Sequence, residues 1–165
     1  MAVVVPLRDL VDELQTLSDE THVYLNKITG EVISITNDDF SFVENGDDWR
    51  EFTESELEQE FFEKVEKALN SDEYLESPSR FEIDEYEIME RFCLSVPDEK
   101  ISNLLLENIR GSGAFRRFKD TIYRYDIEKE WFKFRDKAYK EIAILWLESN
   151  GFAYLDDMNR REQSS

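Results

Sequence analysis

The chain has 165 residues, of which 41% are hydrophobic and 13% aromatic, and its formal net charge at pH 7 is -19. That apolar content suits one domain with a buried core and excludes a globally disordered chain. The one cysteine excludes an internal disulfide, and no run approaches the roughly 18 apolar residues of a membrane-spanning helix.

Residues 1–6 form a short apolar run without the basic flank and cleavage pattern of a signal peptide, so a cytoplasmic protein with no membrane partner is expected. Residues 6–17 then place Leu7, Leu10, Val11, Leu14 and Leu17 on one stripe of a short helix. Two β-rich runs, His22–Leu25 and Val32–Ile35, flank Asn26-Lys27-Ile28-Thr29-Gly30. Gly30 supplies the positive φ that a bulged hairpin turn needs, so a hairpin is expected over 22–36. A lone hairpin is marginal in water, and residues 1–5 are the candidate third strand.

Residues 37–50 read as an irregular acidic loop. Their oxygen-rich clusters, Asp38-Asp39 and Asn45-Gly46-Asp47-Asp48, do not meet the spacing of a calcium loop. Thr53 and Glu56 match a capping box that opens a helix over 53–70. Leu57, Phe61, Phe62, Val65, Ala68 and Leu69 form its apolar face, and glutamates cover the other. Residues 71–79 read as a loop with Pro78. Asp84 caps a helix over 84–94, with Glu87 at its third position and Ile83 stapled to Ile88. A helix over 97–110 follows. It has Pro97 and acids in its first turn, a core face of Ile101, Leu104, Leu105 and Ile109, and Gly111 as a left-handed stop.

Gly111-Ser112-Gly113 leads into a helix over 114–125, with Phe115, Phe118, Ile122 and Tyr125 on its core face and Arg116, Arg117, Lys119 and Arg124 elsewhere. The last helix, over 127–150, carries a stripe of Ile127, Trp131, Phe134, Ala138, Ile142 and Leu145, with Trp146 beside it, and Asn150-Gly151 ends it. Residues 156–165 read as a frayed polar tail. The whole predicts an α+β fold: one domain over 1–155 with a small N-terminal antiparallel hairpin or sheet, then a mainly helical body.

Arg80–Phe92, Gly111–Asp120 and Trp131–Arg135, together with the hairpin segment Tyr24–Ile35, resemble a bacterial uncharacterised protein family, number 0158. The likeness covers most of the chain except the acidic loop and the tail. It implies a bacterial cytoplasmic protein and brings no activity with it.

The chemistry is sparse. No phosphate-cradling loop, dinucleotide fingerprint or H-E-x-x-H is present, and one cysteine with one histidine does not make a zinc site, so no cofactor or metal is expected. Cys93 reads as a small buried side chain, since a nucleophile would need a base that lowers its pKa, and His22 reads as a surface strand residue.

Charge is distributed unevenly. Residues 1–100 hold 8 Lys/Arg and 28 Asp/Glu, whereas residues 110–140 hold 10 Lys/Arg and 5 Asp/Glu. Such asymmetry marks either a partner surface or two halves that attract each other. Gly111, Ser112 and Gly113 precede a helix that carries Arg116, Arg117, Lys119 and Arg124, and these seven residues are the candidate binding set. The expected function is a non-enzymatic protein-interaction module whose basic face meets a protein partner. Three alternatives use the same features. The basic-aromatic segment 110–140 resembles a nucleic-acid surface, which the net charge opposes. The acidic face 47–90 resembles a phosphate lattice, and Cys93 or a carboxylate pair would serve a small enzyme.

Overall fold

The computed structural model describes residues 3–45 and 48–158, an α+β chain in two compact units. The first unit takes residues up to 82 and from 143 onward; the second takes 83–142.

In the first unit, strand β1 (Val4–Pro6) runs directly into helix α1 (Leu7–Leu14). Leu7, Leu10, Val11 and Leu14 are all buried, as their helical spacing requires. Strands β2 (Thr21–Asn26) and β3 (Val32–Thr36) pair antiparallel as the expected hairpin, with His22 opposite Ile35 and Leu25 opposite Val32. The Asn26 carboxamide oxygen accepts from the amides of Ile28 (2.8 Å) and Thr29 (3.0 Å), and Gly30 closes the turn at φ +79°. A Cβ at Gly30 would also lie 3.1 Å from the Val4 carbonyl oxygen, so two constraints select glycine there.

The third strand is not the N-terminal run. Val4–Pro6 pairs parallel with β5 (Ala153–Leu155), whereas β2 takes β4 (Tyr74–Glu76) as its second antiparallel neighbour, giving the order β3-β2-β4. Residues 1 and 2 lie outside the described residues. The β4 strand falls within the stretch read as a loop; three residues are too few to show an alternating pattern.

The acidic stretch after the hairpin is also ordered. Helix α2 (Asn37–Glu44) opens on a capping box: the Thr36 hydroxyl accepts from the Asp39 amide at 3.1 Å, and the Asp39 carboxylate accepts from the Thr36 amide at 2.9 Å. No α2 residue is fully buried, so the apolar period that normally marks a helix is missing. A short 3-10 helix follows at Trp49–Phe52; positions 46 and 47 of the expected acidic loop lie outside the described residues. Helix α3 (Glu56–Asn70) is capped by Ser55, two residues later than the predicted cap Thr53. The Ser55 hydroxyl accepts from the Glu58 amide, while the Thr53 hydroxyl donates to the Arg50 carbonyl. Val65 is buried on the expected face, but Leu57 is 78% exposed.

The second unit is helical. Helix α4 (Glu85–Ser95) is capped by Asp84, whose carboxylate accepts from the Glu87 amide at 3.1 Å. Asp98 likewise caps α5 (Glu99–Asn108), placing Pro97 just before the helix rather than in its first turn. Helix α6 (Ala114–Arg124) follows the Gly-Ser-Gly turn. Helix α7 (Glu128–Ser149) belongs to this unit up to Ile142 and to the first unit from Ala143. Phe92 and Trp131 meet edge to face at 5.3 Å, Phe118 and Trp131 at 4.8 Å, and Phe92 and Phe134 at 5.5 Å. Each such pair contributes about 0.5–1.5 kcal/mol beyond the area it buries. Of the predicted α7 stripe, Trp131 and Ala138 are buried, whereas Leu145 is 67% exposed and Tyr139, Ala143 and Leu147 are buried instead. Gly151, at φ +77°, ends the helix, and the Phe152 amide donates back to the Leu147 carbonyl. Positions 159–165 of the predicted tail lie outside the described residues.

Among the described residues no helix is long and apolar enough to cross a membrane.

Candidate functional site

The candidate binding residues separate into a turn and a face. In the turn, Gly111 (φ +75°) and Gly113 (φ +79°) both adopt the left-handed conformation. Arg117 reaches back from α6 into the turn. Its Nε donates to the Asn108 carbonyl at 2.7 Å, Nη1 to Ser112 at 2.7 Å and Nη2 to Arg110 at 2.6 Å. These carbonyls lie at or just beyond the C-terminus of α5, where the last turn leaves acceptors unpaired and the dipole favours a cation. The next turn of α6 extends the network: the Asn108 amide nitrogen donates to the Thr121 hydroxyl at 2.7 Å, which donates to the Arg117 carbonyl at 2.8 Å. Gly113 is matched to this clamp, because a Cβ there would lie 2.9 Å from Arg117 Nη1. The turn's polar groups therefore hold α5 to α6, and the Arg117 guanidinium is committed to the chain itself.

The face is the opposite side of α6. Ala114, Phe118, Thr121 and Ile122 are buried, while Phe115, Arg116, Lys119, Asp120, Tyr123 and Arg124 point outward. Phe115, Lys119 and Tyr123 lie four residues apart on one stripe of about 12 Å, at 1.5 Å rise per residue. Phe115 is 42% exposed and Tyr123 77%. Phe115 was expected in the core; its position puts it at the edge of the buried stripe. Among the described residues, Arg116, Lys119 and Arg124 make no ion pair. Arg116 sits in the first turn, which has no acidic residue, and a cation at that positive end of the helix costs about 0.3–1 kcal/mol. Helix formation does not account for its position.

The nucleophile candidate is closed off. Cys93 is wholly buried, and desolvation pushes its thiol up from 9.0 to about 11, so the neutral form dominates. The Tyr139 hydroxyl is driven the same way, to about 12, first by desolvation and then by the Glu85 carboxylate.

A second feature, in the first unit, depends on β4. Pairing β2 with β4 brings Glu76 to His22: Nδ1 lies 3.0 Å from Glu76 Oε1, and Nε2 lies 2.8 Å from Asn37 Oδ1. The imidazole also meets the edge of Phe40 at 5.7 Å. Beside it is a cleft of about 110 Å³ lined mainly by Leu17, His22, Val23, Pro78, Arg80 and Phe81. The hydroxyls in its wall are used locally. Thr21 accepts from the Ser18 amide, Ser77 donates to the Pro78 carbonyl, and Ser79 accepts from the Glu82 amide. Both His22 nitrogens face Glu76 and Asn37, so His22 is not paired with a nucleophile. Among the described residues no group of three His, Cys, Asp or Glu side chains converges as a metal site.

Fold and surface together define an α+β protein with an exposed basic-aromatic helix face, and among the described residues Cys93 and His22 form no nucleophile–base pair. The chain belongs to the uncharacterised protein family UPF0158, whose model matches residues 2–163. No curated protein and no solved structure matches it.

Proposed function

We propose that this chain is a non-enzymatic protein-interaction module and that the exposed face of α6 is its contact surface. One observation carries the reading: Arg116, Lys119 and Arg124 project without ion-pair partners among the described residues, interleaved with the exposed rings of Phe115 and Tyr123. Arginine and tyrosine are the residue types that most often anchor protein interfaces. Arg117, with Gly111, Ser112 and Gly113, acts one step back, by fixing the start of α6. The chemistry favours a protein partner that presents carboxylates around an apolar contact. A nucleic-acid partner would use the same residues, but a net charge of -19 repels a polyanion.

The test is capture of partners from untreated and nuclease-treated cell lysate, at low and high salt, by the wild type and by Arg116→Glu/Lys119→Glu/Arg124→Glu, with circular dichroism confirming equal folding. The expected result is a salt-sensitive set of protein partners that the triple variant loses. An unchanged set overturns the proposal; a set that disappears on nuclease treatment transfers the surface to nucleic acid.

A further inference from the structure

The α6 face has a chemical counterpart on the chain itself. Residues 51–66 carry seven glutamates and one lysine, whereas residues 110–124 carry five basic residues and one aspartate. Glu51 and Glu54, just before α3, and Glu56, Glu58 and Glu60, in its first turns, are exposed. Among them sit two large apolar side chains in the open, Phe52 and Leu57, where the helical pattern had placed Leu57 in the core. Glu54, Glu56 and Glu60 make no ion pair among the described residues. Each surface thus has the same plan with opposite sign: two exposed apolar groups within a cluster of unpaired charges.

We infer that the α6 face of one copy of this chain docks on the Phe52–Glu60 surface of a second copy. Phe115 and Tyr123 meet Phe52 and Leu57, while Arg116, Lys119 and Arg124 face the α3 glutamates. The apolar contacts supply the driving force, and the charges set orientation and partner choice. Because the surfaces differ, the contact is head to tail, and each bound pair still presents one free surface of each kind, one on either copy. The net charge of each copy opposes association at long range. At physiological ionic strength, however, repulsion beyond about 8 Å is screened, whereas charges in contact still attract. Two short helix faces make a small interface, so the association is weak and reversible. This inference rests on α6 being an interaction surface and names the occupant of that surface.

The experiment is sedimentation velocity of the full chain over a wide concentration range at physiological and at high salt. Wild type is expected to show a mass that rises with concentration and falls when salt is raised. The reversed basic face, Arg116→Glu/Lys119→Glu/Arg124→Glu, and the reversed acidic face, Glu54→Lys/Glu56→Lys/Glu60→Lys, are each expected to remain monomeric alone. Mixed together, they should associate, because each supplies the intact surface that the other lacks. Tyr123→Ala, which changes no charge, should weaken wild-type association without affecting folding. A wild type that is monomeric at every concentration overturns the inference. So does a mixture that fails to associate although both variants are folded. If wild type is monomeric while the reversed basic face still loses its captured partners, the second copy is excluded and the α6 surface stands. If the reversed basic face associates like wild type and keeps its partners, both readings fall.

Discussion

Replacing Arg117 with methionine keeps the aliphatic stem of the side chain and removes all three hydrogen bonds to the turn. A bond from a charged donor contributes roughly 1.5–3 kcal/mol when sheltered. The bonds to Ser112 and Arg110 are exposed, so water replaces much of what they supply; the bond to Asn108 is partly buried and counts nearly in full. The expected loss is therefore about 2 kcal/mol. Arg117→Lys should recover less than half of it, since a single ammonium does not span three carbonyls. Thr121→Val shares the same network, so its effect should be less than additive with Arg117→Met. Urea unfolding measures these differences as a shift in midpoint at unchanged slope. An Arg117→Met variant within about 0.5 kcal/mol of wild type would refute the clamp.

Three further outcomes follow from the same geometry. Gly113→Ala should destabilise more than Gly111→Ala. Both pay for a positive φ, about 1–2 kcal/mol, but only the first also intrudes on Arg117; thermal midpoints of the pair decide it. Burial favours the neutral Cys93 thiol, so unfolding releases a proton once the pH passes 9.0. Stability from this group is complete below that pH and falls by about 2 kcal/mol as it approaches 11. Cys93→Ala should flatten that part of the stability–pH profile, and native Cys93 should react with a thiol reagent far more slowly than in denaturant. Leu57→Ser, at a position open to solvent, should change stability by less than about 0.5 kcal/mol, which chemical denaturation can check.

Elements whose local chemistry agreed with their surroundings were legible in the sequence. The hairpin is set by Asn26 and Gly30, α4 by the Asp84 cap, and the stop of α5 by Gly111; each is a short-range device that one residue type performs well. Elements without a periodic signal were not. The α2 helix has no fully buried residue, and its only mark was Thr36 three residues before Asp39, a capping box hidden among other acids. The β4 strand is three residues long, so its pairing with β2, and with it the approach of Glu76 to His22, is a long-range fact that no local pattern carries. The binding set was legible as composition but not as geometry. Arg116, Arg117, Lys119 and Arg124 look alike in the sequence, yet the fold commits Arg117 to three carbonyls and leaves the others projecting. Glycines at 111 and 113 mark a turn in the sequence; that Gly113 also makes room for Arg117 depends on where α6 returns its side chain, which no local pattern carries.

The most direct test of the α6 surface is photocrosslinking from single sites. A photoreactive phenylalanine analogue placed at Tyr123 reports on the face, and one placed at Leu94, exposed on α4, serves as the control. In nuclease-treated lysate, the account predicts crosslinks to protein from position 123 and none above background from position 94. Equal yields at the two positions, or crosslinks from position 94 alone, would contradict it.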